Sequence, residues 1–204
     1  MIGKILGIIA ILSAIQINGV AQETDWKLEK EKDGISVFTR EVGGLKIKEF
    51  KATATIRTNT EFLVAMVLDA ETYVDWIDKM EVAEIIEKVN SNEFYIYSEV
   101  DVPWPFENRD IVTLNKVNRN HENGSVKIEI AAVTGKVPEK EGVVRMPESG
   151  GFWQFTPQKD GKTAVVYQYL ADPGGGIPDW LVNAFLVDGP YKTLENMKRI
   201  AEEN

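Results

Sequence analysis

The chain has 204 residues, 44% of them apolar and 27% charged, with 23 basic against 32 acidic side chains and a net charge of −9. That length holds one domain of ordinary size with a full core, and the acidity leaves no broad basic surface for nucleic acid. With no cysteine and one histidine, disulfides, thiolate nucleophiles, cysteine zinc sites and multi-histidine metal centres are excluded, so neither a metal nor a cofactor is expected.

From Ile5 to Ile15 the sequence is apolar or small throughout, Lys4 precedes it, and Gly19 and Ala21 stand at the −3 and −1 positions of a cleavage site before Gln22, Glu23 and Thr24. The pattern predicts a secretory signal peptide over residues 1–21. A retained anchor is the rival, but the run falls short of the roughly 20 residues that span a bilayer, and Gln16 and Asn18 interrupt its continuation. The mature chain, residues 22–204, is therefore expected to be exported, periplasmic or secreted, and held together by its core alone. It shows no repeat, composition break or low-complexity stretch, which makes one domain the economical reading.

Residues 35–40 and 45–57 read as two strands around Gly43-Gly44. In the second, Leu45 and Ile47 follow one alternation phase while Phe50, Ala52, Ala54 and Ile56 follow the other, which predicts a bulge or bend. The period then changes: Phe62, Leu63, Met66, Val67, Ala70 and Tyr73 fall at helical spacing across 60–76, with Asn59 or Thr60 placed to cap. Four strand-like runs follow at 82–89, 93–102, 109–117 and 126–134, the last two joined through the hairpin signal Asn123-Gly124. Shorter runs at 142–146, 151–155 and 163–171 complete the strands, with a turn at Lys159-Asp160-Gly161. Residues 178–203 carry the longest helical stripe, from Trp180, Leu181, Ala184 and Phe185 to Met197 and Ile200. Pro178 suits its first turn, and Gly189-Pro190 should kink or split it. This order fits an α+β fold, a curved antiparallel sheet wrapped around a long C-terminal helix with space left between them.

Four segments carry a family likeness. They are Asp33-Gly34-Ile35-Ser36-Val37-Phe38-Thr39-Arg40, Pro103-Trp104-Pro105-Phe106-Glu107-Asn108-Arg109-Asp110, Gly151-Phe152-Trp153-Gln154-Phe155, and residues 172–183 beginning Asp172-Pro173-Gly174-Gly175-Gly176-Ile177-Pro178. In this order and spacing the chain resembles the StAR-related lipid transfer (START) domain over about residues 25–203. The resemblance implies the helix-grip fold of the wider SRPBCC superfamily, with an internal hydrophobic tunnel for one lipid or sterol-like molecule. That superfamily also holds plant allergen-like carriers and polyketide cyclases, so the fold alone does not fix the function.

The resemblance further implies a tunnel ion pair between an acid and an arginine, for which Glu99, on a strand face with Tyr95 and Tyr97, and Arg109 are the candidates. Such a pair would orient the polar end of a ligand; the other reading has Glu99 in solvent or Arg109 paired with a surface acid. Tyr97, Trp153, Tyr167, Trp180 and Phe185 join them as candidate ligand-binding residues, with Trp180 and Phe185 favoured as tunnel wall on the C-terminal helix. Each large aromatic, Trp76 included, has plain core as its alternative. Trp104, between two prolines, reads as a rigid anchor at a hairpin end. Gly174 to Gly176 reads either as a hinge for a lid helix or as a simple connector, since it lacks the Lys-Ser/Thr of a phosphate loop.

No catalytic residue is assigned. His121 sits in a polar turn, no spacing isolates a carboxylate pair for acid–base work, and Asn123-Gly124-Ser125 matches a glycosylation sequon as well as a hairpin turn. The sequence thus points to a non-enzymatic, monomeric carrier of a lipid or sterol-like ligand, touching membranes only transiently. A cyclase or aromatase working in the same tunnel and a ligand-gated interaction module are the alternatives.

Overall fold

A computed structural model describes residues 26–43, 48–146, 148–174 and 177–203. The predicted signal peptide lies outside the described residues, as do Leu45 and Ile47 of the expected bend and Gly175 and Gly176 of the expected hinge.

Ten strands form one sheet: β1 (Lys27–Lys32), β2 (Ile35–Glu41), β3 (Lys48–Ile56), β4 (Met80–Lys88), β5 (Glu93–Val100), β6 (Asn108–Arg119), β7 (Val126–Ala132), β8 (Val143–Arg145), β9 (Ser149–Pro157) and β10 (Thr163–Ala171). Their order is β1-β2-β3-β10-β9-β7-β6-β5-β4, antiparallel throughout, and the short β8 lies off this path, parallel to β6. The curved antiparallel sheet with its C-terminal helix is the helix-grip arrangement expected from the sequence. β1 was not expected, because Lys-Leu-Glu-Lys-Glu-Lys has no apolar alternation; pairing with β2 alone makes it a strand.

Alternation decides which way each strand faces. Ile35 and Val37 of β2 and Ala52, Ala54 and Ile56 of β3 are buried on the inner face, where Leu194, Met197 and Ala201 of the C-terminal helix meet them in one core. Asp160 and Gly161 take positive φ angles of 62° and 67° in the tight β9–β10 turn, a region that glycine enters without strain.

The expected helix over 60–76 is split. Helix α1 (Thr60–Leu68) is capped by Asn59, whose side chain accepts from Phe62 N–H at 2.9 Å. It stops where Asp69 leaves helical geometry (φ −102°, ψ 83°), and after a single 3₁₀ turn α2 (Tyr73–Trp76) follows. The break leaves the Val67 carbonyl for the Tyr73 hydroxyl, which donates to it at 2.6 Å.

The C-terminal helix divides as Gly189-Pro190 predicts. Helix α3 (Asp179–Asn183) runs through a π-helical turn, Ala184–Asp188, into α4 (Gly189–Glu203). Pro190 has no N–H for the Leu186 carbonyl one turn back, and the wider turn absorbs the mismatch: Gly189 N–H reaches the Ala184 carbonyl five residues before it.

Candidate functional site

The α3–α4 helix and the sheet do not close on each other. Between them lies a cavity of about 840 Å³, walled by inward residues of β3, β5, β6, β7, β9 and β10 and by Val182, Phe185, Leu186 and Pro190 of the helix. Trp153, Tyr167, Phe50 and Tyr169 make its aromatic side. Tyr167 lies flat on Trp153 with centroids 3.9 Å apart, and Phe50 meets Tyr167 edge-on at 4.9 Å. These rings fill one another's faces, so they form a continuous wall. The Tyr167 hydroxyl has no hydrogen-bond partner among the described residues, and burial raises its pKa far above the ordinary tyrosine value.

β6 supplies three polar residues to the lining, beside Lys48, Asp78, Ser98, Asp172 and Thr193 from other segments. Alternate residues Arg109, Ile111, Thr113 and Asn115 face the cavity. Arg109 is 4% exposed. Its Nε donates to the Pro173 carbonyl at 3.1 Å and Nη2 to the Gly174 carbonyl at 3.4 Å, while Nη1 donates to the Glu107 carbonyl. No carboxylate among the described residues forms an ion pair with it. Burial lowers its pKa and the nearby Glu107 charge works the other way; a guanidinium stays protonated regardless. The cavity therefore holds a buried cation whose hydrogen bonds among the described residues all go to backbone carbonyls, beside the connection from β10 to α3.

Further along β6, Asn115 (2% exposed) donates through Nδ2 to Thr113 Oγ1 at 2.9 Å and to the Thr113 carbonyl at 3.3 Å. Ile96 and Ala132 flank Thr113 on the neighbouring strands, and Phe94 and Ile130 flank Asn115.

The predicted Glu99–Arg109 ion pair does not form. Strand register sets Glu99 opposite Asp110 and Val100 opposite Arg109, so Glu99 and Arg109 leave opposite faces of the sheet. Glu99 and Tyr97 belong to an outer cluster instead. The Tyr97 hydroxyl lies 3.1 Å from both Glu99 Oε2 and Asp110 Oδ2, Asn108 donates to Glu99 at 3.0 Å, and Lys140 pairs with Glu99 at 3.3 Å. Burial pushes Tyr97 up to about 12. Asp110, 1% exposed, takes a two-point grip from Arg145, Nε to Oδ1 at 2.6 Å and Nη2 to Oδ2 at 2.9 Å. Arg145 also donates to the Val137 and Pro138 carbonyls. The cluster thus fastens the β7–β9 excursion to the outside of the sheet, and its last anchor, Met146 N–H on the Asp110 carbonyl, brings Met146 to the cavity.

Two aromatic expectations are also corrected. Trp180 is 57% exposed and does not line the cavity. Leu181, 1% exposed, takes the inward position, which turns Trp180 about 100° around the helix, where it touches Phe106 edge-on at 6.5 Å. Trp104 is 92% exposed and anchors nothing. Trp76 is core, 1% exposed and edge-on to Trp153. Trp153, Tyr167, Phe185 and Arg109 do meet at the cavity. Sequence reasoning passed over Thr113 and Asn115, although both share the alternation phase of Arg109. His121 lies in the exposed turn before β7. Among the described residues no group of three acidic or histidine side chains is placed to hold a metal.

The family model described as START domain matches residues 15–204. An uncharacterized protein of Pseudomonas aeruginosa is 33% identical over 187 residues, covering 92% of each chain. Human phosphatidylcholine transfer protein is 28% identical over 184 residues, 87% of this chain and 84% of its own. Among solved structures, a STAR-related lipid transfer protein fragment from Xanthomonas axonopodis superposes with a TM-score of 0.78 at 32% identity, over 86% of this chain and 98% of that one. Human StAR-related lipid transfer protein 5 gives the same TM-score at 20% identity, over 87% and 86%, a likeness of fold.

Proposed function

The chain belongs to the START domain family, and on that premise we propose that it encloses one lipid or sterol-like molecule in its cavity and carries it without altering it. The observation that carries the reading is the 840 Å³ chamber between sheet and helix, apolar and aromatic over most of its wall with one buried cation beside the β10–α3 connection. Each 100 Å² of apolar ligand surface sealed there contributes about 2.5 kcal/mol before ordering costs. Arg109 is the polar anchor, meeting an anionic or strongly polar headgroup with charge-assisted hydrogen bonds. The lipid transfer names of the human and Xanthomonas relatives support carriage over turnover. The placement of Glu99 on the outer face keeps that carboxylate away from a molecule in the chamber. The reading includes an exported monomer, supported by the leader pattern of residues 1–21.

Native mass spectrometry of the protein purified from its own cells, followed by extraction of any retained small molecule, tests the carrier. A stoichiometric lipid or sterol-like mass supports it, and a chemically processed product supports an enzyme. A protein that arrives empty and takes up no member of a broad lipid panel sinks it. The intact mass of the same sample tests cleavage after Ala21.

A further inference from the structure

The cavity lining carries polar groups at several places, among them Arg109 on β6 and, further along the same strand, Thr113 and Asn115. Thr113 and Asn115 lie four and six residues beyond Arg109 on the same face of β6, roughly 13 to 20 Å along the strand. Their neighbours Ile96, Phe94, Ile130 and Ala132 have no hydrogen-bonding side chains. One end of the carboxamide is engaged on Thr113, and the other, open to the cavity, favours a polar ligand group over a bare hydrocarbon. The contact with the Thr113 backbone carbonyl fixes the orientation, since a carbonyl accepts only from the amide nitrogen. Asn115 Oδ1 therefore points away from Thr113, and no donor reaches it among the described residues. Thr113 Oγ1 accepts from Asn115, while its own proton has no acceptor there. The pair leaves one acceptor and one donor for a ligand, the complement of a hydroxyl group.

We propose that Thr113 and Asn115 form a hydroxyl-recognition subsite inside the cavity, selecting an amphiphile with an anionic end at Arg109 and a hydroxyl partway along its apolar body. This rests on the carrier reading and narrows it to hydroxylated ligands. The hydroxyl sits on either an acyl chain or a fused-ring skeleton, and the two make the arms of one experiment.

The test is equilibrium binding of two matched pairs to the full mature chain, by isothermal titration: ricinoleate against oleate, and lithocholate against cholanate. The members of each pair differ only by one hydroxyl. A bare hydrocarbon leaves the amide unpaired, so the hydroxylated member of at least one pair should bind about tenfold tighter or better, and that pair identifies chain or ring. In Asn115→Leu and Thr113→Val the ratio of affinities within that pair should fall to about one. Equal affinities within both pairs overturn the subsite and leave the carrier standing. Binding of none of the four probes overturns the subsite, and the carrier falls with it only if the purified protein also holds no lipid. The wild-type comparison decides the matter even if either variant fails to fold.

Discussion

Arg145→Met isolates what fastens the outer excursion to the sheet. The guanidinium grips Asp110 at 2.6 and 2.9 Å, with Arg145 11% and Asp110 1% exposed at their side chains. Methionine keeps most of the length and removes the charge, leaving the Asp110 carboxylate buried with the Tyr97 hydroxyl as its remaining side-chain partner. Breaking one side of a buried pair costs about 3 to 5 kcal/mol. For a chain of this size each kcal/mol moves the melting temperature by about 2–4 °C, so Tm should fall by roughly 6 to 20 °C. Urea unfolding followed by tryptophan fluorescence measures the loss. The double variant Arg145→Met with Asp110→Leu should recover part of it, because no unpaired charge is left behind. A loss below about 1 kcal/mol, the worth of an exposed ion pair, would refute the reasoning; so would a double variant that loses the sum of its singles.

Gly151→Ala should cost about 3 kcal/mol or more: its Cβ would stand 2.0 Å from the Gln168 carbonyl oxygen and 2.7 Å from Tyr169 Cα, both backbone, so β9 and β10 must separate. A urea midpoint close to wild type would contradict that register. Arg109→Gln removes the cavity's buried cation, and the preference for oleate over oleyl alcohol should fall about tenfold or more in a titration; an unchanged ratio places the ligand's charged end elsewhere. Burial raises the pKa of Glu99, but hydrogen bonds from Asn108, Tyr97 and Lys140 outweigh it and the net shift is downward. The unfolded chain then binds that proton first, so the Glu99 contribution is full above the ordinary carboxylate range and is lost as pH falls through the lowered folded value. Unfolding free energy measured from neutral to acid pH should fall less steeply in Glu99→Gln than in wild type, and identical slopes contradict the assignment.

The elements that announced themselves in the sequence were those whose burial repeats with one period. β2 and β10 and the stripe of α4 read directly from their apolar spacing, and Gly189-Pro190 marked the break before α4 because a missing N–H acts locally. What depended on partners stayed hidden. Glu99 and Arg109 both sit in strands read from the sequence, yet one step of register separates the two faces of the sheet, and register belongs to the pairing of β5 with β6. The apolar stripe of the C-terminal helix contains both Trp180 and Leu181, and the burial of Leu181 decides the helix phase. Thr113 and Asn115 were legible in principle from their phase with Arg109. A polar residue in an apolar strand is the informative observation.

The sheet is open, so it has two free margins, β1 and β4. A free margin offers unpaired amides to any passing strand and invites self-association. Both margins are written against it. β1 is Lys-Leu-Glu-Lys-Glu-Lys, and β4 carries Glu81, Glu84, Glu87 and Lys88 with two irregularities in its pairing to β5. Charge and a broken ladder deny a second copy a flat template. The open sheet thus carries its own guard against strand addition along both margins. Replacing the margin charges with threonine or valine should turn that openness into a route to edge-to-edge aggregation, while the chamber on the concave side stays intact.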